Sequence, residues 1–421
     1  MVSAPQAWGS NAAVATVSTQ LDATHFMPGV MLSPDGHSLY GYELTLANGT
    51  VSPTLPAEAG YLDVASRHFT PIGVASMPKC SGNSCQGSPE PYYLHCCQTD
   101  GRYLIALSAG DPGPDCGGCY WSYDLRSGAL REVVDGNHFP LISTTLLDHG
   151  VFVFSSQVGI GVADLAAHTL TPLAGTTSDT QLDAFAWPYM VYGMPPGAQQ
   201  HTSTTPTPLQ VFDVATGATT ALPQVTGSIL ALDGSSLYYV ATLVGSSSAA
   251  QTLDELDNLT DPGAQPRVLA TLPSGSDVAP PQSLAIDRDT LFYTVRTGLS
   301  QSNGTCLPGF GVICPTSVPA PPPVTTLYEV DNHSSSPRVR GIGSYAADLG
   351  DVSVANARLL ALVGAVWDRA ENRFVNLGTG RYVVGYVVGD FLVVGHSLSQ
   401  ADYAPIQVSI YDATHLPVLT N

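Results

Sequence analysis

One short phrase governs what this chain can fold into: an alternating apolar run that stops at an aspartate and turns at a small residue. Its clearest copy is Val211-Phe212-Asp213-Val214-Ala215-Thr216-Gly217. The phrase returns as Tyr61-Leu62-Asp63-Val64, Ser122-Tyr123-Asp124-Leu125 and Val162-Ala163-Asp164-Leu165. Later copies are Glu255-Leu256-Asp257, Tyr328-Glu329-Val330-Asp331, Val366-Trp367-Asp368 and Ile410-Tyr411-Asp412. These eight copies stand mostly about 40 to 60 residues apart, the length of one four-stranded unit in a closed repeat array. Alternation turns one face of a strand toward a neighbouring unit. An Asp at the strand end accepts from backbone N–H groups two residues on, and Gly or a small polar residue supplies the tight turn. The eight aspartates are read as turn formers and not as catalytic acids.

The repeat overrides the two or three domains that 421 residues would otherwise suggest. The expected fold is all-β: a single β-propeller of four-stranded antiparallel blades. Eight blades are expected, with seven as the alternative because the fifth and seventh repeats are weak. Residues 1–26 read as an N-terminal extension, in which a strand within 12–18 can join the last blade and close the ring. Residues 27–421 read as the propeller. The first blade begins near Val30 and the others span roughly 99–135, 147–175, 184–224, 228–272, 283–342, 351–377 and 381–420. Leu32-Ser33-Pro34-Asp35-Gly36, leading into His37-Ser38-Leu39-Tyr40, resembles the Ser-Pro-Asp-Gly hairpins of TolB-type and WD-type propeller repeats. That resemblance implies the fold and no particular activity.

Acidic residues outnumber basic ones 34 to 14, for a net charge of −20. Nucleic acid and anionic lipid are held by Lys and Arg, so neither is an expected partner. The acids are scattered singly, as on a solvated surface. No run of eighteen apolar residues is present, so no membrane span is expected. The first residues lack the basic start and apolar core of a signal peptide. Eight cysteines in loop-like sequence nevertheless point to an oxidising compartment. The expected address is extracellular, periplasmic or the cell surface, with any leader or anchor lying outside this sequence.

In a propeller blade with strands A to D, the A–B and C–D turns share one face, and the B–C and D–A connections share the other. The first class is tight here, whereas the insertions 77–98, 110–119, 194–208, 245–252 and 297–324 fall in the second. One-sided insertion marks the binding face of a repeat protein. Cys80, Cys85, Cys96, Cys97, Cys116 and Cys119 form one cluster there, read as three bridges of open connectivity. Cys306 and Cys314 form a local pair. Zinc at Cys116-Gly117-Gly118-Cys119 and a redox pair are the weaker readings, because neither spacing nor context fits. Cys96-Cys97 resembles the vicinal pair of eight-bladed quinoprotein alcohol dehydrogenases, but the tryptophan-bearing repeat of that family is missing.

The same loops carry Tyr92, Tyr93, His95, Tyr120, Trp121 and Phe310, rigid groups suited to recognising a protein, peptide or glycan. No nucleophile elbow, His-Glu-x-x-His or P-loop is found, so no catalytic residue and no metal ligand is assigned. Residues 254–261 form an acidic segment that can hold calcium, although the spacing is not that of a calcium loop. No other cofactor is expected. The leading expectation is a non-catalytic recognition or assembly module. The alternatives are a secreted enzyme acting on a glycan or peptide at the axial channel and a self-associating surface-layer or fibre subunit.

Overall fold

Each of the eight aspartate phrases closes the third strand of an antiparallel blade; seven of the sheets have four strands, and that of blade 1 carries two further short strands, His25–Phe26 and Thr50–Val51. The computed structural model describes residues 8, 12–47, 50–51, 58–72, 93–109, 119–134, 138–140, 142–193, 209–222, 227–242, 251–261, 263–275, 278–298, 323–332, 336–377, 383–398 and 404–417. Blade 3 shows the pattern: Thr144–Asp148 (A), Val151–Ser156 (B), Gly159–Asp164 (C) and Thr169–Pro172 (D) pair in that order. The A strands of the other blades are Val30–Leu32, Tyr93–Thr99, Gln181–Ala186, Gly227–Asp233, Ala285–Asp287, Val354–Ala355 and Val383–Val388. From blade 2 to blade 5, and again from blade 6 to blade 8, consecutive A strands touch each other, which sets them around the axis. Blades 5 and 7 are complete four-stranded sheets, so the count is eight and not seven.

The core is a ring of eight apolar seams, one per interface. Strand B of blade 3 shows how one strand feeds two seams. Phe152 and Phe154 turn toward Tyr103 and Ile105 of blade 2, while Val151 and Val153 turn toward Met190 and Tyr192 of blade 4. With both faces covered, the strand reads as an unbroken apolar run. Close approach fixes one glycine: a Cβ on Gly161 would lie 2.2 Å from the Phe154 ring. Gly161→Ala is therefore expected to destabilise by about 1–3 kcal/mol through overpacking, read as a lower denaturant midpoint. An unchanged midpoint would mean that the ring yields at no cost.

Closure joins the two ends of the chain. Ala15–Ser18 pairs with Ile406–Asp412 as the outermost strand of blade 8. Val17 then packs with Met27, Leu39 and Leu62 of blade 1 and Val393 and Val408 of blade 8. Trp8 is 4% exposed in the seam between blades 7 and 8. Its Nε1 donates to the Pro417 carbonyl at 2.8 Å, and the Tyr411 hydroxyl donates to the Trp8 carbonyl at 2.8 Å. On the blade 8–blade 1 side, the Tyr386 hydroxyl accepts from Leu32 N at 2.8 Å and donates to the Val30 carbonyl at 3.1 Å. Burial pushes that phenol up to about 12, so it remains a donor.

One expected boundary moves. The A strand of blade 2 is Tyr93–Thr99, most of it inside the segment 77–98 expected to be an insertion. A bulge between Cys96 and Gln98 breaks the strand register, and with it the two-residue period by which a strand is recognised. His95, Cys96 and Cys97 thus sit on a blade strand and not in a loop, and Cys119 opens strand C of the same blade.

Candidate functional site

The two faces of the ring are built differently. On the turn face, five A–B turns are only two residues long. The C–D turns close as Asx motifs: Asp124 Oδ1 accepts from Arg126 N at 2.8 Å, Asp164 from Ala166 N at 2.9 Å, and Asp213 from Ala215 N at 2.9 Å. Asp412 does the same for Thr414 N at 2.9 Å. The Thr414 hydroxyl and His415 bind the same carboxylate and lower its pKa to about 2. These aspartates act as turn formers.

A second set of aspartates links neighbouring blades, which the sequence pattern did not disclose. In the A–B turn of blade 2, Asp100 Oδ2 accepts from Gly150 N of blade 3 at 2.5 Å. Asp148 of blade 3 repeats the contact with Trp187 N of blade 4 at 2.8 Å. Trp187 is 36% exposed there, its ring 6.4 Å from that of His149. It is an exposed aromatic on the tight-turn face, where loop composition gave no reason to look for one.

The opposite face receives the B–C and D–A connections. Its long segments 73–92, 110–118, 194–208, 243–250 and 299–322 lie outside the described residues. With them lie Tyr92, Phe310, Cys80, Cys85, Cys116, Cys306 and Cys314, and the bridges expected among the cysteines. Tyr93 and His95 stand on the A strand of blade 2, opposite Ala109 and Leu107. The remaining two aromatics are not surface anchors. Trp121 is 9% exposed in the blade 1–blade 2 seam with Ala59, Ile72 and Ala106. Tyr120 is half-buried, its ring 5.4 Å from Phe152, and burial raises its pKa. Both belong to strand C, whose alternating faces are covered by blades on either side, so they pack the ring.

The acidic segment 254–261 also disperses. Glu255 pairs with Arg267 and accepts from Asn332 Nδ2 at 3.0 Å, tying blade 5 to blade 6. Asp254 is buried, which raises its pKa, whereas Asp261 caps Gly263 N at 2.8 Å. Among the described residues no three His, Cys, Asp or Glu side chains converge to hold a metal ion. No helix among them is long and apolar enough to cross a membrane.

The most perturbed carboxyl near the axis is Asp183, at a bulge in the A strand of blade 4 between Leu182 and Ala184. Burial raises it from 3.8 to about 6. A raised carboxyl binds its proton more tightly in the folded than in the unfolded chain, so stability falls as pH rises from about 4 to about 6. Asp183→Asn is expected to remove that fall, worth on the order of 2–3 kcal/mol. Unfolding midpoints at about pH 3.5 and about pH 7.5, either side of that window, should converge in the variant. A parallel offset at both would exclude Asp183 as the source.

No protein-family model matches the chain, and no curated protein matches it. Similar solved structures include an oligogalacturonate lyase in complex with manganese, at 13% identity over 82% of this chain and 96% of that one, with a TM-score of 0.47. The β-propeller domain of the Trilobed protease from Pyrococcus furiosus matches at 9% identity over 94% and 97%, with a TM-score of 0.47. TolB from Acinetobacter baumannii matches at 12% identity over 85% and 78%, with a TM-score of 0.34. By its blade number, strand order and ring closure, the chain belongs among the β-propellers.

Proposed function

We propose that the chain is an extracellular, non-catalytic recognition module that binds a protein, peptide or glycan through its B–C and D–A face, with disulfides stapling the loops. One observation carries this reading: the long connections, such as 299–322 and 194–208, all leave the same face, while the opposite face is closed by two-residue turns and Asx motifs. A scaffold so fixed on one side holds variable loops at constant spacing, and cross-linking them lowers the ordering cost of binding.

The test screens the oxidised chain against immobilised oligosaccharides and peptides, with disulfide mapping of the same sample. Binding that disappears on reduction, and on replacing 299–322 by a short Gly-Ser linker while the melting midpoint holds, supports the reading. Free thiols throughout, or binding indifferent to both changes, would overturn it. The enzyme reading draws on Asp183, whose raised pKa suits a proton donor near neutral pH. Release of cleaved products from any arrayed glycan or peptide, abolished in Asp183→Asn, would establish it instead.

A further inference from the structure

The turn face, opposite the proposed recognition loops, holds a cavity of about 480 Å³ between blades 7 and 8. That is within the range of small-molecule sites. Its charged and amide lining comes from three tight connections: Asn356 and Arg358 from the A–B turn of blade 7, Arg369 from its C–D turn, and Asp390 from the A–B turn of blade 8.

Two of these groups are fully engaged by the fold. Arg358 donates from Nε and Nη2 to Asp368 at 3.3 and 3.1 Å, and from Nη1 to the Leu416 carbonyl at 2.8 Å. Asn356 accepts from Arg358 N and Leu359 N through Oδ1 and donates to the Gly389 carbonyl at 3.0 Å through Nδ2. The other two are left with open chemistry. Arg369 uses only Nη1, donating to Asp287 and, at 2.8 Å, to the Asn356 carbonyl. Phe292 lies 5.0 Å beneath its guanidinium and holds the plane. The Nε–Nη2 edge, the side that forks a carboxylate, has no protein partner among the described residues. Asp390 accepts from Ala413 N through its backbone carbonyl, while its carboxylate meets no cation among the described residues.

The lining of one cavity thus includes a guanidinium with an unused edge and a solvent-exposed carboxylate, with no pairing between the two among the described residues. A purely anionic ligand would face Asp390, and a purely cationic one would leave the Nε–Nη2 edge of Arg369 unfilled. A ligand carrying both charges satisfies both groups. We propose that this cavity binds a small zwitterion, an α-amino acid or short peptide with both ends free, its carboxylate on Arg369 and its ammonium on Asp390. The site is independent of the loop face and of whatever binds there.

The test is a calorimetric and thermal-shift titration of the full chain with glycine, L-alanine and L-trialanine. N-acetylated and C-amidated trialanine serve as matched probes that lack one charge each. Free trialanine or a free amino acid is expected to bind and raise the melting midpoint, and each capped peptide to bind about 10- to 100-fold more weakly, as one charged hydrogen-bonded contact is lost. Asp390→Asn should abolish the penalty for acetylation and leave that for amidation. Arg369→Lys should weaken the carboxylate contact, and if that variant fails to fold, the capped peptides read the same contact. Replacing 299–322 by a linker should leave zwitterion binding intact, which separates this site from the recognition loops. Equal binding of free and capped peptides, no binding by any probe, or full affinity in Asp390→Asn would each overturn the proposal.

Discussion

Asp368→Ala is expected to destabilise the ring by about 3–5 kcal/mol, the loss typical of breaking a buried ion pair by removing one partner. Asp368 occupies the same repeat position as Asp213, and both accept turn N–H groups. Asp368 takes those of Ala370 at 3.0 Å and Glu371 at 3.3 Å, and Asp213 takes those of Ala215 at 2.9 Å and Thr216 at 3.2 Å. The environments differ. Asp368 is 0% exposed and also receives Arg358, itself largely covered and anchored to Leu416. Truncation there leaves a guanidinium without its counter-charge in a low-dielectric seam. Asp213→Ala removes turn hydrogen bonds near solvent, for an expected loss of about 1 kcal/mol. Denaturant midpoints of the two variants should separate clearly. Equal losses would mean that the turn alone, and not the buried pair, sets the cost. Asp368→Asn, which keeps an acceptor but drops the charge, should fall between them.

Trp8→Ala is expected to cost about 3–5 kcal/mol, as for other large buried aromatics. The indole fills the seam between blades 7 and 8 against Leu359, Val394 and Tyr411, and its removal leaves a cavity as well as an unpaired Pro417 carbonyl. Tyr411→Phe removes only the hydroxyl that donates to the Trp8 carbonyl, so it should cost about 1 kcal/mol. In the double variant the two losses should fall short of additivity, because both act on one docked segment. Val14→Ala, in the same strand lead but 61% exposed, should change stability by less than about 0.5 kcal/mol. A Trp8→Ala loss no larger than that of Val14→Ala would show that the segment around Trp8 does not hold the ring.

Much of this architecture was legible because its turns are local. An aspartate that caps its own turn two residues on leaves a signature at fixed spacing, and Asp124, Asp164, Asp213, Asp368 and Asp412 keep that spacing whatever surrounds them, while Asp63 caps three residues on at Ser66. The blade count followed from the spacing. The A strand of blade 2 was hidden because its bulge at Cys97 shifts the register, so residues 93–99 present neither an unbroken alternation nor a turn signal. Trp121 resembled a loop aromatic because Gly117-Gly118-Cys119 precedes it. Its burial depends on Ala59 and Ile72 of the preceding blade, which no local pattern can supply. Asp100 and Asp148 could be read as turn residues, but their second hydrogen bonds run to the next blade and exist only once the ring has closed. Trp187 and Asp183, and the placing of Arg369 and Asp390 around one cavity, belong to the same class: each is a product of blades set side by side.

The closing strand also fixes an order of events. Within a blade, successive strands are sequence neighbours and can pair as soon as each hairpin forms. The contacts that complete blade 8 are of another kind, with Thr19 and Ile406 separated by 387 residues and Trp8 and Tyr411 by 403. Such contacts carry the full entropic cost of closing a long loop before any packing compensates it. Ala15–Ser18 is therefore expected to dock late, and the seam of Leu39, Leu62, Val393 and Val408 to be completed only with it. For this chain, completing the ring joins segments almost four hundred residues apart, and that junction is expected to form after the blades between them.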